Sequence, residues 1–455
     1  MRSVINPHSV RKKYRLAPSK LKSLPFPFFP ERESKMNLGA FLRREFSFIR
    51  GNYLILILSW VIMDIGTEMP VPYYQQYVDA LGGNVFPFAL GLIGLANFLA
   101  LALVAVPGGF LADKFGRRWL ITTMTFAMGL SFLFFALAPF WIITQSWHLI
   151  LLGTIIQSLC LIYQPALFAI IQDSLPSERR GVGSSLIQLI HSTSNTPGTV
   201  IGGLLVVTLG LIAGMQVVYL TIMTLFLAAA FWRLKLKETI VNHEKMRFRY
   251  FISHYPQAIR ESLRVWRIVP RTVFWLMLVQ VLTMFASALI NVINAIYARD
   301  VLGIPQNEWF LVYIPMLLVL ILASYPIGKM IDHLGSKLPM IIGACILIIS
   351  PLLYICGGFL LVTISMALFG LIQILIMSSG MALSACLVEP QNRGKITGGL
   401  NFVGYILTGT AMLLGNVFYN LNPQLPFYVT IAMATPILLM VIFKIHQPKK
   451  EDRKY

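Results

Sequence analysis

The sequence predicts an all-α polytopic membrane protein with twelve transmembrane helices in two pseudo-symmetric six-helix bundles. Of the 455 residues, 57% are hydrophobic and only 12% are charged, and a soluble domain carries about twice that charge. Apolar runs of about 20 residues, long enough to cross a bilayer as a helix, recur along the whole chain. The two halves of the chain also carry the same short motifs in the same order.

The apolar runs divide into two groups of six on either side of a polar stretch at 234–271. This division predicts an N-terminal bundle at 51–233, a cytoplasmic amphipathic linker at 234–271 and a C-terminal bundle at 272–445. A basic tail at 1–50, with 1–35 expected to be disordered, precedes them, and a short tail at 446–455 follows. The runs lie at 52–77, 86–111, 119–140, 147–171, 183–208, 214–233, 272–297, 309–331, 338–359, 361–387, 396–419 and 424–445.

The net charge of +19 follows from membrane topology and does not indicate a nucleic-acid partner. If the helices alternate in direction, only Arg299 among the 37 Lys and Arg residues falls on the side opposite the others. Positive residues concentrate on the cytoplasmic face of membrane proteins. We therefore expect a multi-pass protein of the plasma membrane with both termini in the cytoplasm, surrounded by lipid and monomeric.

Three motifs of the first half recur in the second half. The sequence DALG at 79–82 returns as DVLG at 300–303. The segment GGFLADKFGRR at 108–118 returns in weaker form at 325–337. The pair Arg180-Gly181 returns as Arg393-Gly394. Three matches in one order favour an internal duplication.

The segment from Gly109 to Arg118 resembles the signature between the second and third helices of the major facilitator superfamily. This resemblance implies that the cluster joins the two halves at the cytoplasmic side and separates when a transporter opens inward. The alternative is a charged loop that only sets topology. The predicted cytoplasmic gate consists of Gly109, Asp113, Gly116, Arg117, Arg118, Arg180, Gly328, Asp332, Gly335 and Arg393.

Two acidic residues, Asp64 and Glu68, lie well inside an apolar run. Charged groups near the bilayer centre are costly, so they are functional candidates. The two residues are four apart and share one helix face, with Trp60 one turn earlier. They are candidates for proton coupling, together with His191, which can titrate near neutral pH. Neutral, hydrogen-bonded packing is the alternative for all three, and Glu68 is also a candidate to face water.

Other polar side chains inside the spans are candidates to line a substrate cavity. The family resemblance favours those on the first, fourth, seventh and tenth helices, because these helices line the central cavity in that family. No metal-ligand spacing, cofactor motif or catalytic motif is found in the sequence, so we expect no enzyme activity, cofactor or metal. The predicted cavity residues are Trp60, Asp64, Gln157, Gln164, Gln188, Asn195, Gln280, Asn291, Asn294, Gln373 and Asn401.

These features predict a secondary active transporter that moves a small-molecule substrate by alternating access, coupled to protons. Efflux of lipophilic or cationic compounds is the first hypothesis, because Trp60 and Asp64 suit a cation. Uptake of a sugar or another small polar solute is the alternative, favoured by the many Asn and Gln residues. A membrane sensor or scaffold on the same fold is a further alternative. Gly153 stands where antiporters of the family often carry an arginine, which weakens the efflux hypothesis.

Overall fold

The computed structural model describes residues 49–83, 88–105, 116–140, 146–175, 180–239 and 269–447, with a few single positions between 256 and 267. Within these ranges, the side chains at 83, 172, 180–189, 191–192, 195, 385 and 390–395 are not described. The described residues form helices and the turns between them. Most of the predicted basic tail, linker and C-terminal tail lies outside these ranges.

In the N-terminal half of the chain, taken as residues 51–239, the described residues form eight α-helices. Gly82, Gly116 and Gly210, beside the ends of these helices, have positive φ. The helices are α1 (Gly51–Glu68), α2 (Tyr74–Val78), α3 (Ala89–Ala105), α4 (Arg117–Leu137), α5 (Trp147–Cys160), α6 (Gln164–Ser174), α7 (Arg180–Leu209) and α8 (Leu211–Arg233).

The C-terminal half, taken as residues 269–447, contains another eight helices. They are α9 (Arg271–Asn291), α10 (Asn294–Asp300), α11 (Trp309–Leu334), α12 (Lys337–Cys356), α13 (Phe359–Gln373), α14 (Ser379–Leu387), α15 (Pro390–Leu421) and α16 (Leu425–Lys444). The end with Asp79 and Arg299 is called the outer end, and the end with Arg117 and Gly335 the inner end. These names follow the orientation that the positive charges predict.

The predicted all-helical membrane fold is confirmed. In the described part of the chain, nine helices are long and apolar enough to cross a membrane. Among the described residues, every predicted apolar run contains a helix or two successive helices. The runs at 52–77, 86–111 and 183–208 fall outside the nine, and the last two contain the shorter apolar helices Ala89–Ala105 and Thr196–Leu209.

Four of the predicted spans, the first, fourth, seventh and tenth, are interrupted. The first and seventh break in turns at 69–73 and 292–293, the fourth contains a 3₁₀ turn at 161–163, and the tenth contains a π-helical turn at 374–378. Pro70 and Pro72 occupy the first break, and Pro165 follows the second; proline has no backbone N–H to continue a helix. The breaks therefore recur in every third span, as expected for repeated three-helix units.

Two glycines of the repeated motif have the same backbone conformation. Gly116 precedes α4 with φ 89°, and Gly335 ends α11 with φ 84°. Only glycine adopts this region without strain, so both residues permit the tight turn between successive helices. The sequence repeat is therefore also a repeat of local geometry.

The described part of the linker includes Trp266. The Trp266 indole N–H donates to the carbonyl oxygen of Gly399 at 3.3 Å. Its ring packs edge-on against Phe274, with centroids 6.1 Å apart. Trp266 therefore attaches the end of the linker to α9 and α15.

Glycines in α7 bring this helix into backbone contact with the outer end of α1. A Cβ atom on Gly202 would lie 1.9 Å from the carbonyl oxygen of Met69, and one on Gly198 would lie 2.2 Å from that of Ile65. Small residues permit this close approach of membrane helices. The glycines of α7 therefore fix the position of α1, which carries both intramembrane acids.

We expect Gly202→Ala to destabilise the protein by about 1–3 kcal/mol, the usual cost of overpacking, because the added methyl group would push α7 away from Met69. The measurement is the apparent unfolding temperature in detergent. Gly398→Ala is a matched control, since Gly398 is helical and no described atom lies within 4 Å of its Cβ position. Equal unfolding temperatures for both variants would contradict the close contact.

Candidate functional site

A cavity of about 650 Å³ lies between the two halves of the chain. The C-terminal half supplies most of its wall, and Val71, Gln75 and Phe98 close the opposite side. Methionine and aromatic side chains form the apolar part of the wall. The polar part consists of amide and hydroxyl groups from Gln75, Thr283, Ser287, Asn291, Asn294, Tyr313, Gln373, Asn401, Tyr405 and Thr408.

Four of the predicted cavity residues, Asn291, Asn294, Gln373 and Asn401, line this cavity. They come from α9, α10, α13 and α15, so the structure brings together side chains more than 100 residues apart in the sequence. Asn291 and Asn294 flank the break in the seventh span, and Gln373 lies at the break in the tenth. Three of these four cavity residues thus lie beside an interruption in a predicted span.

Three other predicted cavity residues lie elsewhere. Gln280 is buried beside the cavity wall, where its amide donates to the Met377 sulfur at 3.7 Å. Gln157 lines a smaller cavity in the N-terminal half. Gln164 is exposed at the start of α6.

The aromatic and acidic side chains of α1 are not among the residues that line the cavity. Trp60 packs edge-on against Phe168 of α6, with ring centroids 6.0 Å apart. Asp64 is 9% exposed within the helix bundle. Glu68 is half-buried and lies near enough to the Tyr313 hydroxyl of α11 to act on it electrostatically. Only Glu68 therefore has a described connection to a cavity residue.

One hydroxyl group in the cavity wall has no hydrogen-bond partner among the described residues. Thr408 is 6% exposed, and its Oγ1 atom is buried and unpaired in this part of the chain. A buried polar group without a partner costs about 1–3 kcal/mol.

Gln75, which sequence reasoning did not select, connects the two halves at the cavity. Its Nε2 atom donates to the Asn291 carbonyl oxygen, and its Oε1 atom accepts from the Ala295 N–H at 2.9 Å. Both backbone groups belong to the break between α9 and α10, where helical hydrogen bonds are missing. The Gln75 side chain therefore forms hydrogen bonds with backbone groups that a continuous helix would have paired with each other along the chain.

An ion pair joins the two halves at the outer end. The Arg299 guanidinium donates to Asp79 Oδ2 at 2.6 Å across the halves, and to its neighbour Asp300 Oδ1 at 2.6 Å. The Asp79 side chain is 11% exposed and that of Arg299 is 30% exposed. Arg299, the one basic residue predicted on the outer side, thus lies between the two aspartates of the repeated DALG and DVLG motifs.

The described hydrogen bonds and ion pairs of Arg117 and Arg118, two residues of the predicted cytoplasmic gate, lie within the N-terminal half. The Arg117 guanidinium donates to Asp173 Oδ2 at 2.5 Å and to Thr239 Oγ1 at 3.2 Å. The Arg118 guanidinium donates to the Leu234 carbonyl oxygen at 2.7 Å. Asp173, which was not predicted as a gate residue, is therefore one carboxylate that Arg117 contacts.

The rest of the predicted gate has few described contacts. Asp332 is exposed near the end of α11. No described atom lies within 4 Å of a Cβ position at Gly328. Several predicted gate, cavity and proton-coupling residues lie outside the described residues or have undescribed side chains, namely Gly109, Asp113, Arg180, Arg393, Gln188, His191 and Asn195.

A buried arginine lies at the inner end of α8. Arg233 is 1% exposed. It donates to Ser59 Oγ at 3.0 Å and to Thr125 Oγ1 at 2.6 Å, and its guanidinium lies 5.6 Å from the centre of the Tyr163 ring. Arg233 thus links α1, α4 and α8 with the fourth span. Arg233 stands at the end of an apolar run, so the sequence pattern did not indicate that its side chain is buried.

Comparison with known proteins places these features in one family. The family model of the Major Facilitator Superfamily matches residues 53–323 and 276–454. The comparison with curated proteins finds no match. No group of three or more potential metal ligands occurs among the described residues.

Solved structures of transporters resemble the fold. The inward-open xylose transporter XylE from E. coli is 13% identical with a TM-score of 0.68, over 88% of this chain and 97% of that chain. An inward-facing, occupied bacterial homologue of the human lysosomal transporter Spinster is 14% identical with a TM-score of 0.68, over 91% and 99%. The human organic anion transporter MFSD10 (TETRAN) is 16% identical with a TM-score of 0.62, over 86% and 98%. At these identities the likeness concerns the fold alone.

We expect Asp79→Asn to loosen the outer end, because it removes the charge that pairs with Arg299 across the halves. A half-buried pair of this kind contributes about 1 kcal/mol. This energy corresponds to an approximately five-fold shift in the equilibrium between the closed and the open outer end. The measurement is the rate at which Ser287→Cys, in the cavity wall, reacts with an impermeant thiol reagent added from the outer side. Asp300→Asn is the control, since it leaves the contact between the halves in place. The same rate in both variants would argue against a role for the Asp79–Arg299 pair.

Proposed function

Because the chain belongs to the Major Facilitator Superfamily, a family of membrane transporters, we propose that it carries a small neutral polar solute across the membrane. The cavity of about 650 Å³ between the halves is the proposed binding site. The observation that carries the proposal is the composition of its wall. Ten amide and hydroxyl side chains line it, and no charged side chain is among the described residues that line it.

Amides and hydroxyls can donate and accept hydrogen bonds but cannot neutralise a charge. An organic cation or anion in this cavity would lose its hydration without gaining a counter-charge, which is costly. A solute with several hydroxyl or amide groups would instead exchange hydrogen bonds with the amides and hydroxyls of the wall. The wall therefore supports the alternative hypothesis, a sugar-like solute, over the efflux of lipophilic cations.

Alternating access is the proposed mechanism, with the described structure as its inward-facing state. The described hydrogen bonds between the halves lie toward the outer end, at Gln75, at Asp79 and between the Gly91 N–H and Asn416 Oδ1 at 3.2 Å. At the inner end, Arg117 and Arg118 contact their own half. In the outward-facing state, the proposed gate would exchange these partners for contacts with the C-terminal half.

Proton coupling through Asp64 and Glu68 is part of the proposal. Both residues lie on α1, which α7 contacts through Gly198 at Ile65 and Glu68. Glu68 acts on Tyr313, a cavity residue. A change of protonation on α1 could therefore reach the solute site through Tyr313. A membrane potential of 100 mV supplies about 2.3 kcal/mol for each proton that enters.

We expect Gln373→Leu to weaken solute binding about ten-fold, because it removes the amide that would form hydrogen bonds with the solute. The loss of such bonds costs about 1–3 kcal/mol. Binding is measured in nanodiscs for a panel of pentoses, hexoses, nucleosides and a quaternary ammonium cation. Gln164→Leu is the matched control, since Gln164 is exposed outside the cavity. Binding of the cation, with no binding of any neutral compound, would refute the proposed solute class.

We expect Asp64→Asn to abolish solute-driven proton movement and to preserve solute exchange across the membrane, because exchange requires no net proton transfer. Both are measured in liposomes, the first with a pH-sensitive dye and the second by counterflow. Glu308→Gln, at an exposed position outside the cavity and the proposed gate, serves as the control. Proton movement in Asp64→Asn equal to that of the wild type would exclude Asp64 as the proton carrier.

A further inference from the structure

A second, smaller cavity of about 190 Å³ lies beside the main one. It is called the N-terminal chamber, because the N-terminal half supplies most of its wall, with Asn291, Val292 and Met412 from the other half. Its polar groups come from Tyr74, Gln75, Asn97, Thr154, Gln157 and Asn291. No charged side chain is among the described residues that line it. Its chemistry therefore matches that of the main cavity.

The polar groups of the chamber have the capacity to bind a ligand. The Tyr74 hydroxyl lies beside the Thr154 side chain. Asn97 Oδ1 accepts a hydrogen bond from Ser158 Oγ at 2.5 Å. The two N–H donors of the Asn97 amide therefore remain for a ligand. Gln157 also lines the chamber, and its amide adds donor and acceptor atoms.

Gln75 and Asn291 line both the chamber and the main cavity. The Gln75 side chain bridges to the Asn291 carbonyl and to the Ala295 N–H, so these contacts form a partition between the two spaces. The partition consists of one side-chain amide against two backbone groups. A solute group with one donor and one acceptor offers the same two hydrogen bonds and can replace the amide at little cost.

We propose that the N-terminal chamber is a second subsite for the same solute, and that Gln75 determines access to it. The chamber takes a neutral group that carries hydroxyls or an amide, at one end of a solute whose remainder occupies the main cavity. Gln75 is thereby a specificity-determining residue, because its displacement admits longer solutes. The inference deepens the proposed function and rests on it for the identity of the solute.

The first test needs no solute. Thr154→Cys places a thiol in the chamber wall, and methyl methanethiosulfonate, a small neutral reagent, is added to the protein in nanodiscs. Mass spectrometry of the labelled peptide separates this site from the native cysteines. We expect Gln75→Ala to raise the labelling rate at position 154 at least ten-fold, and Gln75→Asn, whose shorter amide does not span the break, to do the same. Ser287→Cys, in the main cavity, is open to the reagent from the inner side in the proposed inward-facing state. It should react at the same rate in all three backgrounds, which also shows that the variants are folded.

Equal labelling of position 154 with and without Gln75 would overturn the partition, whatever the solute is. The second test uses glucose and maltose as a short and a long neutral probe. We expect Gln157→Leu to weaken the binding of maltose at least ten-fold and that of glucose less than two-fold. Equal effects on both probes would overturn the subsite. If neither probe nor any neutral compound of the panel binds, the proposed function fails, whereas the labelling result still decides whether Gln75 separates the two spaces.

Discussion

The bilayer core offers no hydrogen-bond partner to the backbone, so every N–H and C=O group within it must be paired inside the protein. Continuous helices meet this condition by themselves. The 3₁₀ turn at 161–163 and the π-helical turn at 374–378 keep helical hydrogen bonds of a different spacing, whereas the turns at 69–73 and 292–293 leave backbone groups for other partners. Gln75 supplies them at 292–293, with hydrogen bonds to the Asn291 carbonyl and the Ala295 N–H. Irregular backbone is tolerated at this depth where it borders protein or a cavity, and the breaks at 292–293 and 374–378 adjoin the main cavity.

Charge has a different distribution at the two ends of the molecule. At the outer end a single guanidinium, Arg299, lies between one aspartate of each half. At the inner end Arg117 and Arg118 contact the N-terminal half, and Arg233 is buried among hydroxyl groups and an aromatic ring. An ion pair of about 1 kcal/mol can hold one state without trapping the protein in it. An ion pair of this strength suits a molecule whose halves must separate first at one end and then at the other.

Much of the fold could be predicted from the sequence, because apolar length and the repeated glycines are local signals. The φ angles of Gly116 and Gly335 agree with the repeat that predicted their equivalence. The site was less predictable. Asn291 and Gln373 were selected from polarity and family resemblance, whereas Gln75 and Arg233 were not. Membrane helices are apolar on every face, so polarity alone does not indicate whether a residue such as Trp60 faces a cavity or a neighbouring helix.

The duplicated architecture also explains why the cavity is asymmetric. The C-terminal half supplies most of the wall of the main cavity, and the N-terminal half supplies most of the wall of the smaller chamber. Equivalent spans thus enclose unequal spaces, because different side chains fill the two bundles. The intramembrane acids Asp64 and Glu68 occur in the first span alone, and the broken seventh span contributes the amides of Asn291 and Asn294 in their place. Duplication therefore supplied two similar frames, and divergence placed the proposed proton-binding groups in one half and most of the proposed solute-binding groups in the other.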